Sequence, residues 1–425
     1  MTDSTRDAHE VTEAHAATAA RQSATSKVTM SSGHRPQTAA VRVGIGTDEA
    51  QGAVVPPIYL SSTFSFRAFG EARDYDYTRA GNPTRDVLGT ALAELEGGAG
   101  GVVTCTGTAA MTTIVTALTK PGDVVLIPHD CYGGTWRLFV ELADKGYLVH
   151  RTVDFTDPAA VDRALAAGDV TVVWLETPSN PLLRITDIAA VTAAAKAAGA
   201  TVVADNTFLS PLLQQPLALG VDLVFHSTTK YINGHSDVVG GAIVSSTDEL
   251  HERMTYWSNV LGVTGAPFDS YLTARGLRSL PARLRVHEEN ARVVAELFAS
   301  HPAVAATYWP GLPDHPGHDI AARQQRGFGS IVSLELAGGE AAVRRFVDGL
   351  TCFSLAESLG GTESLVDHPA TMTHLAMTDE ARAAAGVTDG LLRLSIGIED
   401  PADLAADLTR ALDRALATSG AGDQG

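Results

Sequence analysis

Cysteine is scarce in this sequence, and positive charge is outnumbered by negative charge. The three cysteines, Cys105, Cys131 and Cys352, are odd in number and far apart, so they indicate neither a disulfide framework nor a metal site, and a reducing cytoplasm is the expected compartment. Lysine and arginine number 31 against 49 acidic residues, a net charge of −18. This balance argues against nucleic acid or an anionic membrane as a partner.

Long apolar runs and tandem repeats are also missing, and a membrane-spanning helix needs roughly 20 apolar residues. Hydrophobic residues still make up 45% of the 425 residues, which suffices for a sizeable core and for two or three domains. Residues 1–40 are rich in Ala, Thr, Ser and His without a helical stripe or a signal-peptide core. They are predicted to form a disordered tail.

Residues 41–80 contain Pro56, Pro57 and several aromatic residues but few helical patterns, and they are predicted to form an extended arm. An arm with this much apolar surface would be costly to expose, so we expect it to pack against another chain.

Residues 81–288 alternate between apolar strand patterns and helical patterns. Strands are predicted at 101–104, 124–127, 148–153, 170–175, 201–204 and 223–225, and helices at 111–119, 136–145, 159–167 and 188–198. Such alternation predicts an α/β fold with a mostly parallel sheet covered by helices. Residues 289–425 are predicted to form a smaller C-terminal α/β domain, with helices near 288–300, 341–350 and 402–417 and strands at 331–336 and 391–395.

A lysine, Lys230, lies among small hydroxyl residues just after the apolar run 221–225, which is predicted to be a buried strand. A lysine held out of bulk water beside other cations has a lowered pKa and can form a Schiff base. Ser227 and Thr229 would face the same way if the strand continued, and two hydroxyls suit a phosphate. Lysine and phosphate ligands together suggest pyridoxal phosphate.

Seven segments carry a resemblance to a known family. They are residues 77–85, 128–134, 176–181, 203–208, 226–237, 355–361 and 391–400. The segments occur in the order typical of one family and cover nearly all of the chain after about residue 40. On them the chain resembles the pyridoxal-phosphate-dependent transsulfuration enzymes, the Cys/Met metabolism family. The resemblance implies a fold-type I, aspartate aminotransferase-like transferase, with residues 81–288 as the cofactor-binding domain. It also implies a homotetramer, a dimer of dimers, in which the arm reaches a neighbouring subunit.

The resemblance further implies a set of cofactor-binding residues. Lys230 would hold pyridoxal 5′-phosphate, Asp205 would meet its protonated ring nitrogen, and Tyr132 would stack on the ring and act in proton transfer. The remaining cofactor residues implied are Thr207 beside Asp205, the phosphate ligands Gly107, Thr108, Ser227 and Thr229, and Tyr77 and Arg79 from the neighbouring subunit.

Substrate-binding residues are implied in the same way. Arg393 matches the arginine that grips the substrate α-carboxylate, with Asn180 and Ser358 as helpers. Glu357 matches a glutamate that accompanies chemistry at the γ-carbon, and Asp76 and Arg137 are more distant candidate contacts. Planar guanidinium groups suit carboxylates because they donate two parallel hydrogen bonds.

The implied reaction is a γ-replacement in which cysteine displaces the acyl group of O-succinyl- or O-acetyl-L-homoserine to give cystathionine. Ala80 stands where relatives carry a second arginine for a succinyl group, so both acyl donors remain open. Two alternatives keep the fold: cleavage of cystathionine to cysteine, 2-oxobutyrate and ammonia, and γ-replacement by a non-thiol nucleophile. A non-catalytic scaffold would have to retain all these residues without using them.

Overall fold

The computed structural model describes residues 33–417, in which strands and helices alternate. The strands are β1 (Gly100–Thr104), β2 (Val124–Pro128), β3 (Val149–Val153), β4 (Val170–Glu176), β5 (Thr201–Asp205), β6 (Leu223–Ser227), β7 (Gly241–Ser245), β8 (Val304–Tyr308), β9 (Ile331–Leu336), β10 (Phe353–Leu355), β11 (Ser364–Asp367) and β12 (Leu391–Ser395). The helices are α1 (Pro36–Val41), α2 (Pro83–Glu96), α3 (Gly107–Leu118), α4 (Gly133–Asp144), α5 (Pro158–Leu165), α6 (Ile188–Ala197), α7 (Ser210–Leu213), α8 (Asp248–Leu261), α9 (Pro267–Ser300), α10 (His318–Gln324), α11 (Gly339–Val347), α12 (Asp379–Ala385) and α13 (Pro401–Leu416).

The larger sheet has seven strands in the order β1-β7-β6-β5-β4-β2-β3. Strands β2 to β6 pair in parallel, whereas β7 pairs antiparallel with both β6 and β1. The predicted α/β class with a mostly parallel sheet is therefore confirmed. The antiparallel strand β7 and the helices α2 and α8 were not predicted from the sequence.

Apolar layers cover both faces of this sheet. Along β4, Val173 and Leu175 pack into one layer, and Val172 and Trp174 pack into the other. Alternate residues of a strand point to opposite faces, so a strand buried on both sides is apolar throughout. This explains why the parallel strands appear in the sequence as continuous apolar runs.

Helix α9 is 34 residues long and begins at Pro267, although the sequence predicted a helix only over 288–300. Its first half packs Leu277 and Leu280 into the core of the larger sheet. Its second half packs Val294 and Phe298 into a separate core with the C-terminal strands. The predicted domain boundary at 288/289 thus falls inside one continuous helix, because that helix serves both cores.

The C-terminal sheet has five strands in the order β10-β11-β12-β9-β8. Strand β12 lies in its centre, antiparallel to both β11 and β9. Helices α11 and α13 contribute Phe346, Leu404 and Leu408 to its core. The observed β9 and β12 have the bounds predicted from the sequence.

The predicted disordered tail requires a correction at its C-terminal end. Residues 1–32 lie outside the described part of the chain, but Pro36–Val41 form helix α1. Ala39 and Ala40 are buried there, and the Arg278 side chain of α9 donates a hydrogen bond to the Val41 carbonyl. Small apolar residues allow this short helix to lie close to α9.

The predicted arm remains exposed along much of its length. Leu60 and Phe66 are 71% and 50% exposed, and Phe69 is fully exposed. One isolated bridge joins Thr63 to Tyr77. Packing of this apolar surface against another chain stays a prediction. Separately, none of the helices between residues 33 and 417 combines the length and apolarity that a membrane crossing needs.

Candidate active site

Three neighbouring parallel strands end in polar residues at one edge of the larger sheet. Strand β4 ends at Glu176, β5 ends at Asp205, and β6 ends at Ser227. Glu176 and Asp205 are directly paired in register. The carboxyl ends of parallel strands are where ligands bind in α/β sheets, and Lys230 follows immediately after β6.

Asp205 is a buried carboxylate, and the backbone N–H of Thr207 donates to its Oδ1 at 2.9 Å. Burial raises the pKa of Asp205 to about 6, and the hydrogen bonds from Thr207 oppose that rise. A carboxylate in such a setting is costly to ionise without a partner. A cationic N–H group placed against it would therefore be held strongly.

Thr207 connects Asp205 to the end of β6, which lies beside the start of α3. Its hydroxyl accepts a hydrogen bond from the Ser227 N–H at 2.9 Å. Gly107, the first residue of α3, lies so close that a Cβ there would be 3.0 Å from the Ser227 Cβ and 3.1 Å from its Oγ. The N–H groups of Gly107 and Thr108 belong to the first turn, where a helix offers free donors and positive potential to an anion.

The sequence expectation for Thr229 requires a correction. Strand β6 ends at Ser227, so Thr229 lies in the following turn and does not share a strand face with Ser227. Its hydroxyl accepts from the Gly240 N–H at 3.0 Å and lies 3.2 Å from the Gly240 carbonyl. The Thr229 hydroxyl is thus already engaged with the backbone before β7.

Lys230 is largely buried, and its Nζ donates to the Ser358 Oγ at 2.7 Å. Burial, followed by the positive charge of Arg393, lowers the pKa of Lys230 to about 8. A smaller opposing effect comes from the carboxylates of Glu357 and Asp367. Since a neutral amine is the nucleophile, this lowered pKa increases the fraction of Lys230 that is ready to form a covalent imine.

Arg393, in the middle strand of the C-terminal sheet, is 2% exposed. Its Nη1 donates to Asn180 Oδ1 at 3.1 Å, and its Nη2 donates to the Ser358 carbonyl at 2.9 Å. The same Nη2 lies 3.4 Å from Asp367 Oδ2 on β11. The Arg393 Nε and Asp367 Oδ1 atoms are buried without a hydrogen-bond partner among the described residues, so the guanidinium keeps one unused N–H donor.

Tyr132 precedes helix α4 and is 41% exposed. Burial of its inner side raises the pKa of the hydroxyl, while Arg137 and Arg393 oppose the rise and Glu357 adds to it. These charges act on Tyr132 because they lie around it. The structure therefore brings Tyr132, Arg137, Glu357 and Arg393 to the same region, with Arg137 and Glu357 exposed at its edge.

Two residues of this region were missed by sequence reasoning. Glu176 accepts hydrogen bonds from the Tyr132 N–H through both carboxylate oxygens, at 2.9 and 3.1 Å. Burial and then the neighbouring Asp205 raise its pKa well above the usual value. Asp367 pairs with Arg393, and Thr373 donates to it at 2.7 Å. Glu176 ends an apolar strand just as Asp205 does, so the same sequence signal would have found it.

The arm residues make their contacts elsewhere. The Arg79 guanidinium donates to the Asn259 carbonyl and side chain at 3.0 and 2.8 Å, near the end of α8. It also lies 5.7 Å from the centre of the Tyr77 ring, and Asp76 Oδ1 accepts from the Tyr77 N–H at 2.6 Å. Within this chain, these three residues do not join the group around Lys230.

Residues 37–413 match the family described as Cys/Met metabolism PLP-dependent enzyme, where PLP is pyridoxal 5′-phosphate. The chain belongs to this family. The cystathionine γ-synthase of Escherichia coli K12 is 54% identical over 371 residues, which are 87% of this chain and 96% of that protein. The family is one of PLP-dependent enzymes, so this chain is an enzyme that uses PLP and acts on amino-acid substrates.

Solved structures of the Cys/Met metabolism family share the fold. Cystathionine γ-synthase from Xanthomonas oryzae pv. oryzae in complex with cystathionine matches with a TM-score of 0.89 at 63% identity, covering 90% of this chain and 98% of that one. Cystathionine γ-lyase from Lactobacillus plantarum complexed with L-serine matches with a TM-score of 0.86 at 42% identity, covering 90% and 99%. The fold is therefore that of the fold-type I PLP-dependent enzymes.

The chemistry of the site fits the cofactor of the Cys/Met metabolism family. A buried amine with a lowered pKa suits the aldehyde, and a buried carboxylate suits the protonated ring nitrogen. The close approach of Gly107 to Ser227 leaves little room for a side chain where a helix start faces a hydroxyl, and such a helix start suits a phosphate. The three features lie on adjacent elements of one sheet edge.

Proposed function

We propose that this protein catalyses γ-replacement, in which L-cysteine displaces the acyl group of O-succinyl- or O-acetyl-L-homoserine to give L-cystathionine, the reaction of a cystathionine γ-synthase. The observation that carries the proposal is the likeness to two enzymes of that name, at 54% and 63% identity over about nine-tenths of the chain. Two cystathionine γ-lyase structures match at lower identities, 42% and 44%.

In this proposal, Lys230 holds PLP, Asp205 faces the ring nitrogen, and Tyr132 packs on the ring. The phosphate would be held by Gly107, Thr108, Ser227 and Thr229, with Thr207 linking this group to Asp205. When bound, PLP supplies an electron sink for negative charge at the substrate α-carbon. The contacts of Thr207 with Asp205 and Ser227, both at 2.9 Å, support this grouping.

The substrate would be held by its α-carboxylate on Arg393, beside Asn180 and Ser358. The short path from Lys230 Nζ to Ser358 and from Ser358 to Arg393, with bonds of 2.7 and 2.9 Å, supports this placement. The neutral amine of Lys230 then takes the proton from the substrate α-carbon and moves protons at the β-carbon. Both proton transfers require the amine and the carboxylate-binding arginine to keep a fixed separation.

Chemistry at the γ-carbon would take place near Tyr132, Glu357 and Arg137. In our proposal the Tyr132 hydroxyl exchanges a proton with the incoming thiol, and Glu357 meets a substrate ammonium group. Arg137 and Asp76 are proposed as contacts for the more distant part of the substrate. The combined influence of Glu357 and Arg137 on the pKa of Tyr132 supports their closeness to this point.

The purified holoenzyme should convert O-succinyl- or O-acetylhomoserine with cysteine to cystathionine, identified by mass spectrometry. The faster ester identifies the acyl donor, and acetyl has equal weight with succinyl because Ala80, not a second arginine, follows Arg79. Replacing Ala80 by arginine provides the matched variant and should favour the succinyl ester. Consumption of cystathionine to cysteine and 2-oxobutyrate, with neither ester giving product, would instead assign the γ-lyase reaction.

We further propose a cytoplasmic homotetramer, a dimer of dimers, in which Tyr77 and Arg79 complete the site of a neighbouring subunit. The exposed apolar arm and the distance of these residues from their own chain's Lys230 group support the crossing. The cytoplasm suits the three cysteines, which are free thiols.

Mixed oligomers test the shared site. Arg79→Ala and Lys230→Ala should each be inactive or severely impaired alone, but co-expressed and purified through two tags they should regain activity. Each mixed pair of subunits would contain one site with both changes and one site with neither. Mixed oligomers that stay as inactive as the two parents would contradict the crossing arm.

A further inference from the structure

Tyr231, the residue after Lys230, is almost fully buried and makes contacts that the proposed reaction does not use. Its hydroxyl lies 2.8 Å from Ser330 Oγ, and the Ser395 side chain is close enough to influence its pKa. Ser330 precedes β9, and Ser395 is the last residue of β12. The tyrosine thus reaches from the lysine turn into the C-terminal sheet.

The strand it reaches is the one that carries Arg393. Residues two apart in a strand point to the same face, so Ser395 and Arg393 share one face of β12. The position of Tyr231 therefore bears directly on the face that presents the guanidinium. Strand β12 is paired antiparallel with a neighbour on each side. Its backbone, and so the side chains on that face, are held by hydrogen bonds along both edges.

A second connection runs through the loop after β10. Lys230 Nζ donates to Ser358, whose carbonyl accepts from Arg393. Two residues later, the Gly360 N–H donates to Ser395 Oγ at 2.8 Å. A Cβ on Gly360 would lie 2.7 Å from the Tyr231 nitrogen and 3.0 Å from its ring, at a positive φ of 76°. The loop therefore lies directly against Tyr231.

The other side of Tyr231 is held just as closely. Arg283 of α9 donates to the Tyr231 carbonyl at 2.8 Å, and the His287 ring packs edge-on with ring centres 5.5 Å apart. His287 Nδ1 also lies 2.6 Å from the Ile396 carbonyl. Burial raises the pKa of Tyr231 to about 12, so its hydroxyl stays protonated. It is suited to holding partners in place and not to exchanging protons.

We propose that Tyr231 is a positioning residue that fixes the amine of Lys230 relative to the guanidinium of Arg393. Its chemistry is a neutral hydroxyl bonded to Ser330 just before β9, with its ring and backbone against Gly360, whose N–H donates to Ser395 of β12. The kinetic consequence rests on the proposed γ-replacement. In that reaction Arg393 holds the substrate carboxylate, and Lys230 moves the substrate's protons.

The test is Tyr231→Phe, which keeps the ring and removes only the hydroxyl. In the holoenzyme, kcat should fall about 10-fold while KM for both substrates changes less than about 2-fold, because misplacement of reacting groups affects the chemical step more than binding. Tyr308→Phe, at a half-buried tyrosine of β8, is the matched control and should retain wild-type kcat. An unchanged kcat in Tyr231→Phe, or a raised KM with kcat retained, would overturn the proposal.

A second measurement needs no substrate. In the cofactor-free protein, the rate at which an amine reagent labels Lys230, read by peptide mass spectrometry, should follow a midpoint near pH 8. Tyr231→Phe should move that midpoint upward, since a less fixed Nζ gains contact with water. An unchanged midpoint would contradict the proposal even if the reaction itself proved to be different.

Ser330→Ala is a second variant that tests the same hydrogen bond if Tyr231→Phe does not fold. It removes one partner of the hydroxyl and should lower kcat in the same direction. In the double variant, kcat should be no lower than in Tyr231→Phe, because both changes remove the same bond. Full additivity of the two losses would show that the serine and the tyrosine act separately, and would reject the bridge.

Discussion

Lys230→Ala should reduce turnover by roughly 10³-fold or more, because the side chain is both the nucleophile and the carrier of protons. The Lys230 amine lies at the centre of the site, with its pKa lowered to about 8 and its Nζ bonded to Ser358 at 2.7 Å. The measurement is the rate of cystathionine formation from either homoserine ester with cysteine at saturating PLP.

Lys196→Ala is the matched control for this substitution. Lys196 lies on α6, 45% exposed and 2.9 Å from Asp222, away from the strand ends that form the site. Its removal should leave turnover close to that of the wild type. Near-normal activity in Lys230→Ala would reject the proposed catalytic role, whatever the acyl donor.

Arg393→Ala should lower kcat/KM by roughly 10³-fold, because the substrate carboxylate loses a desolvated, two-pronged partner. The same change leaves Asp367 buried without its cation. Breaking a buried pair in this way costs about 3 to 5 kcal/mol, so the free energy of unfolding should fall as well. Steady-state kinetics and denaturant unfolding measure the two effects separately.

Arg393→Lys separates those effects. The ammonium should still neutralise Asp367, 3.4 Å from the present guanidinium, and recover much of the lost stability. It cannot donate two parallel hydrogen bonds, so KM should remain raised. A lysine variant with wild-type KM would show that Arg393 serves only to pair Asp367 and would remove it from the substrate site.

The sequence predicted the larger sheet well because its parallel strands are buried on both faces. Strand β4 illustrates this: every residue after Val170 is apolar or β-branched until Glu176 ends it. Strand β7 was harder to recognise, since it begins with a glycine, which usually marks a turn, and only Ala242, Ile243 and Val244 are apolar before Ser245. Local pattern also gave no reason to extend α9 back to Pro267. Polar residues such as Arg283 are buried there and are held by distant backbone groups such as the Tyr231 carbonyl, which the sequence does not show.

Within the site, local residue pattern pointed to the lysine, and the family resemblance pointed to Asp205 and the arginine, but neither showed how these side chains are held. Ser227 and Thr229 show the limit of local reasoning. They are two residues apart, yet the strand ends at Ser227 and the Thr229 hydroxyl is taken up by Gly240. A turn between two residues removes the alternation on which the sequence argument relied.

By itself, the sequence determined that this protein is an acidic α/β enzyme with a lysine at the end of a buried strand, because apolar periodicity and local motifs are properties of short segments. Only the tertiary structure decided that Glu176 holds Tyr132, that Asp367 pairs with Arg393, and that Tyr231 bridges the two sheets. These contacts join residues from 26 to 99 positions apart only after both cores have formed. Burial then sets the pKa of Lys230 and Asp205, since the cost of charge depends on the water that the whole fold excludes.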